Sequence, residues 1–209
     1  MADPEFWNGI AERYARQPVA NPQSFERKID VTASLIGQHS VVLDIGCGTG
    51  SLALRLAPHA QAVHGLDASS RMIDIARQKA ATEQVRNVEF HLGALGAGLS
   101  AFADASLDVV CAYSLLHLVT DRPAALRQMH RLLKPGGYFV SSTTCLGWSW
   151  PLLKPVLRTM RWLGKAPHVD GFDSQRLARE IRDAGFVDLR QPDVGAKRSI
   201  AFIVARRPV

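Results

Sequence analysis

Val41-Val42-Leu43-Asp44-Ile45-Gly46-Cys47-Gly48-Thr49-Gly50 reads as a buried strand that ends in a glycine-spaced turn carrying an acid and then opens a helix. Alternating glycines let the backbone take positive φ and come close to a ligand, and open α/β sheets bind ligands at the carboxyl ends of their strands. Turn geometry alone does not explain three such glycines plus Asp44. The acid also separates this turn from the G-x-G-x-x-G of dinucleotide sites, because Ser51 stands where the third glycine would be. A carboxylate aimed into the turn would oppose a pyrophosphate but suits an ammonium or a sulfonium. The expected ligand is an amino-acid-bearing nucleoside.

Outward from this turn, apolar strands alternate with amphipathic helices. Phe6, Ile10 and Tyr14 share one face of a first helix over 6–16, and Pro22 opens a second over 22–35 with Asn21 as its cap. Strands are predicted over 41–45, 62–66, 88–91, 107–112 and 138–142, and helices from 50 to 57, over 70–81 and over 122–133. A helix over 174–184 and two short strands, 187–190 and 200–205, complete the chain. The last two strands are joined by only nine residues, too few for a parallel crossover, so they form a hairpin. The predicted fold is α/β: a Rossmann-like, doubly wound, mostly parallel sheet with an antiparallel C-terminal strand. One domain is expected over 1–209, divided into a helical cap (1–38), a cofactor-binding core (39–146), a lid-like insertion (147–171) and a C-terminal helix and hairpin (172–209).

The composition fits this reading. At 209 residues, 47% hydrophobic and 21% charged, the chain can bury a core without staples, and no apolar run approaches a bilayer span. Cys47, Cys111 and Cys145 lie too far apart for a disulfide framework or a zinc site. There is no basic region followed by an apolar one at the N-terminus, so the cytoplasm is expected. The net charge of +6 divides into −3 over 1–120 and +9 over 121–209. That basic back half raises the alternative of an RNA-binding protein or an enzyme that acts on RNA. Against it, the basic residues are spread over helix faces and no aromatic RNA-binding motif accompanies them.

A second acid, Asp67 in Gly65-Leu66-Asp67-Ala68-Ser69, ends the second strand, where it can accept from ribose hydroxyls or cap the next helix, and Ser69 or Ser70 is the expected cap in either case. The glycine turn, this Gly-Leu-Asp-Ala with Met72, Leu107-Asp108-Val109-Val110, Leu115-Leu116-His117 and Leu133-Lys134-Pro135-Gly136-Gly137 together resemble class I S-adenosylmethionine-dependent methyltransferases. Within them the chain is most similar to the small-molecule branch that includes quinone-biosynthesis C-methyltransferases. The resemblance implies S-adenosyl-L-methionine as cofactor. It places Asp44, Gly46, Gly48 and Gly50, with Cys47 between them, along the methionine portion, Asp67 at the ribose, and Ala68 and Met72 beside the adenine. The family often has Gly-Asp after the third strand; this chain has Gly93-Ala94-Leu95, so Ala94 and Leu95 stand where an acid would meet the adenine amino group. That departure keeps open a third alternative, a cofactor binder without catalysis.

Methyl transfer from a sulfonium is a displacement with an activated donor, so alignment in a dry pocket supplies much of the rate. A general base is needed only where the acceptor atom loses a proton. His117, just after the fourth strand, is the candidate, with a histidine satisfied at the surface or by backbone as the other reading. The resemblance also brings Tyr14 over the cofactor, and Tyr113 and Ser114 beside cofactor or substrate. His64 and His91 fall in strands and receive no role, and no metal site is expected.

The stretch least like the family runs over 147–171. Lys154, Arg158, Arg161 and Lys165 form one helical stripe, and Leu153, Val156, Leu157, Met160 and Leu163 supply an apolar face headed by Trp150. With Trp148 and Trp162 flanking it, the segment is expected to be a substrate lid that closes over a small apolar or amphiphilic acceptor and rests on a lipid surface through 148–165. An ordinary cover helix with a solvated basic face is the other reading.

Overall fold

The computed structural model describes residues 3–147, 150–162 and 164–209. Seven strands form one sheet in the order β3-β2-β1-β4-β5-β7-β6, comprising β1 (Val41–Ile45), β2 (Ala62–Asp67), β3 (Val88–Leu92), β4 (Leu107–Tyr113), β5 (Leu133–Thr144), β6 (Val187–Arg190) and β7 (Ile200–Arg206). The first five strands run parallel, and β7 pairs antiparallel with both β5 and β6. The helices are α1 (Pro4–Arg16), α2 (Pro22–Ala33), α3 (Ser51–Leu56), α4 (Ser70–Thr82), α5 (Arg122–Leu132), α6 (Trp150–Trp162) and α7 (Ser174–Asp183).

Strand alternation divides the core into two layers. Leu43, Val110, Phe139 and Ile203 face Leu126 and Met129 of α5 and Ile181 of α7. Val42, Val109, Val140 and Val204 face the other way, toward Ile29 of α2, Leu52 of α3 and Ile73 of α4. Each such side chain, wholly removed from water, contributes roughly 1.5–3 kcal/mol. Among the described residues no helix is long and apolar enough to cross a membrane.

Most element ends fall within one or two residues of the sequence expectation, and the start of β5 differs most. β5 begins at Leu133 rather than near residue 138, because the Lys134-Pro135-Gly136-Gly137 stretch is a bulge within the strand: Leu133 pairs with Leu107 and Tyr138 with Val109. Gly136 takes φ +79° there. α1 begins at Pro4 rather than residue 6, with the Asp3 side chain accepting from Phe6 N. The expected cap of α2 is present, Asn21 Oδ1 accepting from Ser24 N at 3.1 Å.

Candidate functional site

A cavity of about 810 Å³ opens at the carboxyl ends of β1, β2, β4 and β5. Gly46 (φ +71°) and Gly48 (φ +53°) line it. Gly46 N and Cys47 N both donate to Leu66 O, at 2.7 and 3.1 Å, which locks the turn onto β2. A side chain at Gly46 would stand 2.9 Å from Leu115 Cδ1, so the turn has no room for one. Gly50 plays a different part from its neighbours, because it does not line the cavity. It takes φ +79° at the start of α3, and a Cβ there would meet Phe90 Cζ at 2.7 Å. Its smallness serves packing between α3, α4 and β3 rather than ligand approach.

The two acids stand side by side in this cavity. Asp44 is 1% exposed, and its Oδ1 has no hydrogen-bond partner among the described residues. Burial first, and the neighbouring Asp67 second, push its carboxyl up to about 7. An orphaned buried carboxylate oxygen is costly unless a cationic donor meets it. Asp67 Oδ2 accepts from Gly48 N at 3.0 Å and Oδ1 from Ser69 N at 2.8 Å. Burial raises its pKa against these backbone donors, which lower it. Ser69, not Asp67, caps α4, its Oγ accepting from Met72 N at 3.2 Å. Asp67 thus keeps lone pairs for hydroxyl donors.

Ala68, Met72, Ala94 and Leu95 line the same cavity, as do Cys47, Tyr113 and Ser114. Burial raises the Cys47 thiol well above its ordinary value, so it is an inert wall. The Tyr113 hydroxyl is occupied: it donates to Lys28 O at 3.2 Å and shares a hydrogen bond with Thr32 Oγ1 at 2.8 Å, tying β4 to α2. Ser114 takes φ +52°, unusual for a residue with a side chain, and donates its N–H to Ser142 O at 2.7 Å. That bend turns the chain from β4 toward His117.

His117 sits in a 3₁₀ turn, Leu116–Leu118, and lines the cavity. Its Nδ1 is buried without a hydrogen-bond partner among the described residues, and burial lowers its pKa to about 4. The ring is therefore neutral at pH 7, with a nitrogen free to take a proton. The turn is held from outside, because His117 O accepts from Asp170 N at 2.8 Å. Asp170 in turn meets Arg122, a guanidinium only 2% exposed. Its Nη1 lies 2.7 Å from Asp170 Oδ2, its Nε 2.8 Å from Glu180 Oε2, and its plane 3.7 Å from the Phe172 ring centroid.

Sequence reasoning missed Arg122 because a cation at a helix start reads as solvated. It also missed Lys28, which is buried, lines the cavity and has its ammonium pKa lowered by burial. Its spacing from Phe25 and Thr32, which places it on the buried face of α2, was the available signal.

The residues expected to form a lid are not brought to the site. Trp148 and Leu163 lie outside the described residues, and no described residue of 147–171 lines the cavity. Trp150 packs instead against Gly171, whose missing side chain leaves room for the indole. Leu153, Leu157, Met160 and Trp162 fall on α6, with Leu153, Met160 and Trp162 exposed. The cover comes from the N-terminal segment: Trp7, Tyr14, Pro18, Val19 and Phe25 line the cavity. Tyr14 reaches the glycine turn, its Cε1 3.9 Å from where a Gly48 Cβ would stand. Asn8 Oδ1 anchors α1 over the start of α4, accepting from Ser69 Oγ at 2.7 Å and Arg71 N at 3.2 Å.

His64 and His91, given no role from the sequence, stand together in the structure. His64 Nδ1 and His91 Nε2 are 3.1 Å apart at the sheet edge, with Glu89 beside them and outside the cavity.

A family model described as a methyltransferase domain matches residues 36–183. The uncharacterised methyltransferase YcgJ of Bacillus subtilis (strain 168) is 36% identical over 109 residues, 52% of this chain and 42% of that protein. The demethylmenaquinone methyltransferase of Geobacillus kaustophilus (strain HTA426) is 33% identical over 174 residues, 70% of each chain. The crystal structure of the Bacillus YcgJ protein shares the fold with a TM-score of 0.69 at 19% identity, over 88% of this chain and 99% of that one. The chain spans about half the length of the first curated relatives it matches.

Proposed function

We propose a function that starts from family membership: the chain belongs to the class I S-adenosylmethionine-dependent methyltransferases. It transfers a methyl group to a small amphiphilic organic acceptor. The observation that carries this is the buried Asp44 carboxylate, unpartnered beside the glycine turn, in a cavity that also holds Asp67 and a neutral His117. These residues fit S-adenosyl-L-methionine: Asp44 would hold its ammonium or sulfonium charge, Asp67 its ribose hydroxyls, and Ala68, Met72, Ala94 and Leu95 its base. When bound, this cofactor supplies an electrophilic methyl on a cationic sulfur whose charge disappears on transfer, leaving the site able to accommodate one new proton.

The chain's own residues do the rest. Val19, Leu115, Leu118 and Val119 give the acceptor an apolar wall, and Lys28 offers a positive charge to an anionic or carbonyl group on it. α1 and the segment after it exclude water, which strengthens both electrostatic contacts. The His117 imidazole, which lines the cavity, takes the proton that the acceptor's oxygen, carbon or nitrogen must lose. With its pKa near 4, this histidine stays deprotonated from pH 6 upward, so its contribution to the rate is flat there and falls only as the pH drops through about 4. Relatives named for demethylmenaquinone favour hydroquinones and related phenols as first acceptors to try.

The test is incubation of the chain with S-adenosylmethionine and a panel of amphiphilic phenols, hydroquinones and carboxylic acids. A product carrying one added methyl, formed in step with S-adenosylhomocysteine, supports the reading; tight cofactor binding with no product from any of them counts against it. His117→Ala is expected to lower turnover about 100-fold while leaving cofactor affinity within about threefold. Full turnover in that variant would remove His117 from the mechanism.

The RNA reading has less to support it, because Arg122, Arg131, Lys134, Arg176, Arg206 and Arg207, six of the sixteen basic residues of the back half, bond within the chain. What remains concentrated is α6, where Leu152 (80% exposed), Val156 (54%) and Trp162 (84%) stand beside exposed Lys154, Arg158 and Arg161. We infer that this helix rests on an anionic lipid surface, where each basic residue contributes about 1 kcal/mol. Reversing Lys154, Arg158 and Arg161 to glutamate should weaken sedimentation with phosphatidylserine vesicles at least about tenfold. Equal binding to neutral and anionic vesicles would defeat this inference.

A further inference from the structure

We propose that His64, Glu89 and His91 form a binding site for a divalent transition-metal cation of the zinc class, separate from the methyl-transfer cavity. Parallel pairing sets His64 of β2 against Glu89 of β3, and His91 follows two residues later on the same face. The register thus delivers two imidazoles and one carboxylate to one point on the sheet edge.

Their spacing is that of a ligand set. His64 Nδ1 lies 3.1 Å from His91 Nε2, and Glu89 Oε2 lies 3.7 and 3.8 Å from these two nitrogens. A point equidistant from the three atoms stands about 2.1 Å from each, the usual length of Zn–N and Zn–O bonds. Without a cation, one imidazole has to donate its only ring proton to the other across that gap. With one, both lone pairs turn inward, the protons move to the outer nitrogens, and the Glu89 charge offsets part of the added charge.

The surroundings suit the role. Phe102 stands edge-on to both rings at 5.6 Å and packs against both of them. The Glu89 side is exposed, so water can complete a tetrahedral shell. His64, Glu89, His91 and Phe102 all lie outside the cavity lining, so the site needs no methyl acceptor.

The full chain, stripped with a chelator and exchanged into metal-free buffer, is titrated with zinc ion by calorimetry. Cobalt(II) in parallel reports tetrahedral ligation by visible absorption. One ion per chain is expected, with cobalt colour that zinc bleaches. His64→Asn and His91→Asn should each weaken binding roughly 100-fold, and exposed Glu89→Gln, which cannot unfold the sheet, roughly tenfold. Unchanged circular dichroism of the variants ties the loss to the ligands. The proposal is overturned by no stoichiometric binding, or by binding that survives all three substitutions together.

Discussion

Replacing Asp44 with asparagine is expected to weaken S-adenosylmethionine binding by a factor of about 100–1,000 and, at pH 8, to stabilise the cofactor-free chain. Both effects have one cause. The carboxylate is buried with an oxygen that no described protein group satisfies, so its charge is a cost to the empty protein and the main attraction for a cationic ligand. Breaking a buried charge pair costs about 3–5 kcal/mol, and the lower part of that range gives the affinity loss. For stability the sign follows from the raised pKa: the favourable contribution of the protonated form is fully present below pH 3.8 and is lost as the pH rises through about 7. An asparagine side chain cannot ionise, so the Asp44→Asn variant escapes that loss, on the order of 1–4 kcal/mol at pH 8. By the same linkage, cofactor affinity of the unsubstituted chain should fall as the pH drops below about 7. Calorimetric titration at pH 6 and 8, with thermal unfolding of both proteins, checks all three statements. An Asp44→Asn variant that binds normally would leave the cationic group without its assigned partner.

Replacing Arg122 with methionine is expected to destabilise the chain by about 3 kcal/mol, a fall in melting temperature of roughly 6–12 °C. The guanidinium joins three elements: the start of α5, the 170–172 segment and Glu180 of α7. Its loss leaves the Glu180 carboxylate in a mostly buried position and frees Asp170, whose backbone holds the His117 turn. The cost falls at the lower end of the range for a broken buried pair because Arg176 still reaches Glu180 at 2.9 Å. Lysine at the same place should recover little, since it cannot make the forked contact to Glu180. Guanidinium unfolding curves that coincide with those of the unsubstituted chain would show that the network carries no stability.

Much of the fold was legible because its signals are local. The strand-turn-helix at 41–51, the caps at Asn21 and Ser69 and the closing hairpin depend on residues a few positions apart, and all stand where spacing put them. β5 was read short because a bulge keeps a strand in the sheet through a Pro-Gly-Gly that reads as a break. The cavity lining was legible where the turn after β1 makes it, at Asp44, Gly46 and Gly48. The lid was not: amphipathic spacing shows that α6 has an apolar face, but not what that face meets.

Neighbouring residues were enough to specify the strands, the glycine turn after β1 and the acid beside it, because φ preference and strand period are local properties. Packing settled the rest: that the N-terminal segment and not α6 lines the cavity, that Gly50 makes room for Phe90, and that Arg122 and Lys28 are buried. It also brought His64 and His91, 27 residues apart, nitrogen to nitrogen. Each of these depends on which faces meet, and that is set by burial and register across the whole sheet, which no local pattern of residues encodes.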